Sequence, residues 1–253
     1  MNKKVKLLDH GYIQLVESWG SDEAIICGAR MSTNKGFMGW GPVHDLDCAS
    51  SQEVFPAPIC DCEPKPGDEK LLKYLWDNKH STPFELPGLT VEVQAPIMVF
   101  REWHRHRVPF GYSELSARYT PLPDVNYIPS IERLMIGSDG KNKQAGTIKE
   151  AEVLTEDKAQ HFREELSGQY KIQEELYQWA LKSGVPKELA RVHLPVGRYS
   201  RMRATGNLRG WLAFLTLRMA STAQWEIRQY ANEVGKFVAE KFPRTWELFF
   251  TKV

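Results

Sequence analysis

Leu89 to Gln94 alternates apolar and polar residues, which predicts a strand with one buried face. Lys4 to Glu17 reads as two short strands about a turn at Gly11. Elsewhere the apolar period is helical. Ser21 is placed to cap a helix that runs through Met31, with Asp22 and Glu23 suited to its first turn. Leu71, Leu72, Leu75 and Trp76 predict a helix over Asp68 to Lys79, ended before Pro83. Pro96 opens another through Phe100 and Trp103 toward Arg107, followed by a loop from Val108 to Tyr112. Thr155 to Lys182 predicts a long amphipathic helix with Ala159, Phe162, Leu166, Tyr170, Gln173, Leu176 and Ala180 on its inner face. Gly184 and Pro186 end it and start a short helix, Lys187 to Val192; Pro195 to Thr205 then reads as a short extended segment. Gly206-Asn207 caps a helix with Leu208, Trp211, Leu212 and Leu215 on one face. Ile227, Tyr230, Val234, Phe237 and Val238 carry the last long helix, Ala223 to Phe242, which Pro243 stops. The aromatic tail Trp246 to Phe250 should dock on a core or on a neighbouring subunit.

Two stretches break this pattern. Gly36 to Gly67 is rich in Gly and Pro and keeps no helical period, so it reads as a long loop, an insertion. It holds His44, Cys48, Cys60 and Cys62, which could ligate zinc as three thiolates and an imidazole, but the spacing fits no common finger. The competing reading, reduced loop cysteines without metal, is the favoured one. Gly137 to Gly146 is a polar, Gly-rich surface loop without a phosphate-cradle pattern.

Composition narrows the function classes. The chain has 253 residues, a net charge of +1 and 26% charged residues. That near-neutral balance argues against bulk nucleic-acid binding. No apolar run approaches the ~20 residues of a membrane helix, no secretory h-region follows the first lysines, and four unevenly spaced cysteines make no disulfide framework. A reducing cytoplasm is expected.

Against this neutral background, Phe100 to Thr120 concentrates cations. It contains Arg101, His104, Arg105, His106, Arg107 and Arg118, with the hydroxyls of Ser113, Ser116 and Tyr119. Fixed cations beside hydroxyl donors suit a phosphorylated anion. At the end of a helix such cations can also serve simply as a cap and surface charge.

Arg105-His106-Arg107, followed by Glu114-x-Ser116-x-Arg118-Tyr119, resembles the signature of the flavin-dependent thymidylate synthases. Further matches follow in the family's order: Ala29-Arg30-x-Ser32, His80-Ser81-Thr82-Pro83-Phe84-Glu85, Ala190-Arg191-x-x-Leu194-Pro195, Asn207-Leu208-Arg209, Leu217-Arg218 and Ala223-Gln224-Trp225-Glu226-Ile227. There are departures. The Arg107–Glu114 interval is one residue longer than usual, Gly111 or Phe110 replaces the motif's first Ser, and Ser113 replaces its Asn. Glu102 stands where Gln is common, and Ala213 where relatives have an Asn that contacts flavin. The chain is identified as a divergent member.

The resemblance implies an α/β (α+β) fold: a central, mostly antiparallel sheet packed with long helices, as one domain over residues 1–253 with a loop insertion at 36–67. It implies methylation of dUMP to dTMP, with FAD as cofactor and NADPH and methylenetetrahydrofolate as co-substrates, in a homotetramer with shared sites. Arg218 would stabilise the ionising uracil imide without exchanging a proton, and Ser116 would polarise or orient the pyrimidine and is not expected to be a covalent nucleophile. Substrate contacts would come from Glu102, Arg105, Glu114, Ser116, Arg118, Arg191 and Arg218. Cofactor contacts would come from Thr82, Arg105, His106, Arg107, Glu114, Asn207 and Arg209, with His80 and Tyr119 on the folate side. The departures leave open an altered substrate or product, such as a hydroxymethyl nucleotide. A nucleic-acid-binding protein is disfavoured by the net charge, and a flavin-binding protein without transferase chemistry by the intact Ser116, Arg118, Arg191 and Arg218.

Overall fold

The computed structural model describes residues 4–41, 66–136, 146–147 and 153–251. The candidate zinc ligands His44, Cys48, Cys60 and Cys62, and nearly all of the 137–146 loop, lie outside the described residues. The chain forms two compact units: Met1–Glu17, Thr90–Gly206 and Phe214–Val234 make the first, and Ser18–Leu89, Asn207–Ala213 and Gly235–Val253 the second.

Five strands form one antiparallel sheet: β1 (Val5–Leu7), β2 (Gly11–Trp19), β3 (Gly88–Pro96), β4 (Gly111–Glu114) and β5 (Tyr199–Asn207), in the order β1-β2-β3-β5-β4. The alternation of β3 places Val91, Val93 and Ala95 inside, all fully buried. The Gly11 turn begins β2 instead of separating the strands, because the reversal falls at Leu8–His10. A Cβ at Gly11 would sit 2.1 Å from the Tyr230 hydroxyl, which donates to the Gln94 carbonyl at 2.8 Å. Glycine is needed there for that close approach.

β5 was expected only as a short extended segment, and β4 as part of a loop. In the structure β5 is a nine-residue interior strand, with Ser200, Met202 and Ala204 buried and Arg201 and Arg203 exposed. β4 pairs with it antiparallel from Gly111↔Thr205 to Glu114↔Met202 and forms the sheet edge. Small and polar buried residues gave β5 too weak an apolar signal to be read as a core strand.

In the first unit the helix α3 (Ile97–Trp103) stops at Trp103. Trp103 is fully buried and stacks on Phe214 at 4.8 Å between ring centres. After the short α4 (Ile131–Met135), the long α5 (Glu156–Lys182) is capped by Thr155, whose hydroxyl accepts from the Lys158 amide. Its inner face differs from the expected one. Ala159, Tyr177 and Ala180 are buried, but Phe162 and Leu176 are each 48% exposed and Trp179 is 62% exposed. Tyr177 and Ala180 pack with Ala190 of α6 (Lys187–Ala190). Arg198 is buried and joins Asp124 and Glu174, at 3.0 and 2.7 Å. A buried guanidinium is tolerated because two carboxylates and the Leu122 carbonyl meet it.

The second unit contains α1 (Asp22–Arg30), α2 (Glu69–Asp77) and α9 (Pro243–Phe250). Pro243, expected to stop the chain's last helix, also opens α9. The buried Asp22 carboxylate accepts from the Arg244 and Thr245 amides and from the Thr245 hydroxyl, and so caps α9 from α1. Burial pushes its pKa up while these hydrogen bonds oppose the rise. Trp76 packs edge-on against Phe84 and Phe249. A stem closes the chain around residues 42–65. The Asp68 amide donates to the Gly39 carbonyl at 3.0 Å, the Met38 amide to Asp68 at 2.7 Å and the Gly41 amide to Glu69 at 2.6 Å. A Cβ on Gly67 would lie 2.0 Å from the Gly41 carbonyl, so only glycine fits this stem.

The helix α7 (Leu208–Arg218) begins at the cap residue Asn207, whose side-chain oxygen accepts from the Gly210 amide at 3.0 Å. Leu208, Trp211, Leu212 and Leu215 are buried as expected, and so is Phe214. In α8 (Trp225–Lys241), Ile227, Tyr230, Val234 and Val238 are fully buried.

Candidate active site

Of the cations in the Phe100–Thr120 segment only Arg101 belongs to α3; His104 caps the helix, and Arg105, His106 and Arg107 lie beyond. Tyr112 of β4 fastens this turn, its hydroxyl donating to the His106 carbonyl. Phe214 and Arg218 are four residues apart on α7 and share a face. Both meet His106. The Phe214 ring lies edge-on at 4.9 Å, and Arg218 Nε donates to His106 Nε2 at 2.9 Å. The Arg218 guanidinium also donates to Glu102 Oε2 at 2.7 Å and to the Glu102 carbonyl at 3.0 Å. Glu102, His106 and Arg218 therefore form one cluster. Burial first, then the Arg218 charge, push the His106 pKa down to about 4, while Glu102 opposes. The imidazole is neutral at pH 7, as an acceptor at Nε2 must be.

Arg105 and Arg107 are exposed, and among the described residues their guanidinium groups make no hydrogen bond or ion pair. Glu114 is exposed on the edge strand β4. Cis Val108-Pro109 lies within the lengthened interval between Arg107 and Glu114.

A second cluster in the same unit gathers around α6. The Ser116 hydroxyl accepts from the Arg118 amide at 3.3 Å. Arg118 pairs with Glu188 at 3.3 Å, and Lys187 donates to the Tyr119 carbonyl at 2.9 Å. Arg191 caps α6, exposed and without a side-chain partner among the described residues. α6 thus ties the Ser116–Tyr119 turn to the segment that carries Arg191. Glu188 and Lys187, which the motif reading missed, do this. No hydrogen bond or ion pair among the described residues joins this cluster to Arg218.

The second unit brings together other motif segments. A cleft of about 390 Å³ is lined by Gly28, Ala29, Leu75, His80, Ser81, Thr82, Pro83 and Leu86. The Ala29 and His80–Pro83 matches thus share one cleft. Arg209 pairs with Glu85, while Arg30 pairs with the buried Asp68. His80 and Thr82 are exposed. Among the described residues no group of three potential metal ligands occurs, and no helix is long and apolar enough to cross a membrane.

The family described as "Thymidylate synthase complementing protein" matches residues 14–244. The chain belongs to this family. Among its family relatives, the "Flavin-dependent thymidylate synthase" of Thermosipho africanus is 35% identical over 96% of this chain and 92% of its own length. That of a Thermus thermophilus strain is 33% identical over 97% of this chain and 77% of its own. A solved structure of the UMP/dUMP methylase PolB from Streptomyces cacaoi, bound with 5-Br dUMP, is 29% identical. It superposes with a TM-score of 0.74 over 98% of this chain and 97% of that one. The α+β architecture is that of the family's solved members.

Proposed function

We propose that this family member methylates carbon 5 of dUMP to give dTMP, with methylenetetrahydrofolate as one-carbon donor, FAD as cofactor and NADPH as reductant. The observation that carries the reading is Arg218. Among the described residues, Glu102 and His106 hold it with three of its five N–H bonds, leaving two for a ligand. A guanidinium so fixed can stabilise an ionising imide without exchanging a proton, and it needs no reorganisation during the reaction. Carbon 5 then gains the electron density that methylation requires.

Arg118 and Arg191, with Ser116 between pyrimidine and phosphate, supply the planar cations that a nucleotide monophosphate favours. Arg105 and Arg107, unpaired among the described residues, are the donor type that a dinucleotide's pyrophosphate needs. His106 lies between them, and Glu114, Asn207 and Arg209 offer further polar contacts. In the second unit, the His80–Thr82 cleft offers apolar walls with hydroxyl and imidazole groups, a lining suited to a planar ring. Tyr119 is a candidate on the folate side. Bound and reduced, FAD supplies the hydride; the side chains bind, orient and stabilise charge. A homotetramer in which copies share sites accounts for two clusters, Arg218's and Arg191's, that no hydrogen bond or ion pair among the described residues joins. The exposed Phe162, Leu176 and Trp179 of α5 are available for such an interface.

A second reading, acceptance of UMP as well as dUMP, is favoured by the likeness to the UMP/dUMP methylase. One experiment tests both. Flavin-loaded protein is mixed with methylenetetrahydrofolate, NADPH and either dUMP or UMP, and the product is identified by mass. A 5-methyl product from dUMP supports the first reading, and one from both nucleotides supports the second. A hydroxymethyl product, or none, overturns them.

A further inference from the structure

Resting on that reading, we infer that His106 is a positioning residue for Arg218: its Nε2 lone pair fixes the guanidinium so that the two unspent N–H bonds face the substrate imide. The geometry is over-determined. Glu102 Oε2 and the Glu102 carbonyl take one hydrogen from each terminal nitrogen of Arg218, at 2.7 and 3.0 Å. Those two contacts still allow the group to pivot about the Glu102 edge. The third acceptor, His106 Nε2 at 2.9 Å, takes the Nε hydrogen and removes that freedom. His106 is itself held from three sides. Its carbonyl accepts from Tyr112, its amide donates to the Trp103 carbonyl at 3.0 Å, and its ring rests against Phe214. Phe214 and Arg218 belong to one helix, so the ring contact and the hydrogen bond share one register.

The contact is conditional on protonation. A neutral imidazole with hydrogen on Nδ1 accepts at Nε2; an imidazolium would set two donors against each other. The charged and titratable groups that face His106 are Arg218 from α7, Glu102 from α3, Arg105 beside it in the chain and Tyr112 from β4. Two cations oppose a proton there and one carboxylate favours it, in a half-buried setting. The neutral form is therefore the resting one, and acid breaks the contact.

The test has two arms. In the first, flavin-loaded protein labelled with ¹⁵N-histidine is followed by imidazole NMR from pH 8 down to about 4, with His106→Gln identifying the signal. We expect an unprotonated Nε2, with titration well below the ordinary ~6.5. An Nε2–H tautomer, or titration near ~6.5, overturns the inference whether or not the enzyme is active. In the second arm, dTMP formation is measured against pH for His106→Gln and His106→Leu. Gln offers an amide oxygen that cannot be protonated in this range. It should keep kcat within about tenfold of the unsubstituted protein and lose the acid limb of the pH profile. Leu should lower kcat by about a hundredfold at every pH, with a smaller change in KM and flavin retained, as loss of a charge-assisted acceptor predicts. Equal behaviour of Gln and Leu, or loss of flavin from both, overturns the inference. Unsubstituted protein that shows the expected tautomer yet makes no dTMP overturns the proposed function and leaves the His106–Arg218 contact standing.

Discussion

Glu188 places a carboxylate 3.3 Å from the Arg118 guanidinium, and the two side chains are 55% and 58% exposed. An exposed pair of this kind adds ~0–1 kcal/mol to stability, so Glu188→Gln should fold normally. Its effect should fall on the ligand. If Arg118 and Arg191 hold the dUMP phosphate, that near-dianion also meets the Glu188 charge. At ~5 Å in a water-like dielectric, charges of −1 and −2 repel by ~1.7 kcal/mol. A Debye length of ~8 Å at physiological salt cuts this to ~0.9 kcal/mol, which is ~4-fold in affinity. Titration calorimetry should therefore show Glu188→Gln binding dUMP ~4-fold more tightly than the unsubstituted protein. The gain should shrink to less than ~2-fold by ~1 M salt, where the Debye length is ~3 Å. Deoxyuridine, which lacks the phosphate, should show no gain. Unchanged or weaker dUMP binding, or an equal gain for deoxyuridine, refutes the assignment of Arg118 to the phosphate.

Three further predictions follow from the geometry. Arg218→Ala removes three hydrogen bonds and the charge beside the imide; kcat for dTMP formation should fall ~10²–10³-fold, and a fall of less than threefold would remove Arg218 from the chemistry. His106 has a folded pKa of about 4 against an ordinary 6.5, so the unfolded chain binds more protons between those values. Its contribution to stability is thus complete above pH ~6.5 and declines as pH falls toward 4, by at most ~3 kcal/mol; thermal midpoints of His106→Gln should lack that part of the acid slope, and an identical slope in both proteins would contradict it. Gly206→Ala would set a Cβ 2.8 Å from the Phe110 ring, so urea unfolding should show a loss of ~1–3 kcal/mol, whereas a neutral result would mean that the ring moves freely aside.

The sequence was most legible where one physical cause dominates. Ser21 caps the helix it was expected to cap, because a hydroxyl at a helix start satisfies an otherwise orphaned amide; Thr155, expected only to begin its helix, caps it in the same way. The β3 alternation and the Leu208–Leu215 face survived because each buries large apolar residues against a single core. α5 was less legible. Its heptad-like spacing supports more than one apolar line, and the described residues bury only Ala159, Tyr177 and Ala180 of it. Which line turns inward depends on what packs there, and α6 settles that at the C-terminal half through Ala190. In the candidate site, the motif residues were recognisable, but the Arg218–His106 bond spans 112 positions and has no local signal. A partial clue exists in the four-residue spacing of Phe214 and Arg218, which aligns the two side chains on one face of α7. Glu188 carried no clue at all, since a surface glutamate on a four-residue helix resembles any solvated acid.

The stem at Gly39–Gly41 and Gly67–Glu69 has an evolutionary consequence. Its hydrogen bonds join the two sides directly, so they do not depend on the sequence that runs between them. Closing a loop costs only ~0.6 kcal/mol more for each doubling of its length. The stem itself therefore sets no requirement on the length of the segment it brackets, provided Gly67 is kept. The stem acts as a graft point, a place where the scaffold can take on new surface without renegotiating its core. Gly67→Ala, which would set a Cβ against the Gly41 carbonyl, should lower the thermal midpoint of the full protein, and an unchanged midpoint would mean that the stem does not hold.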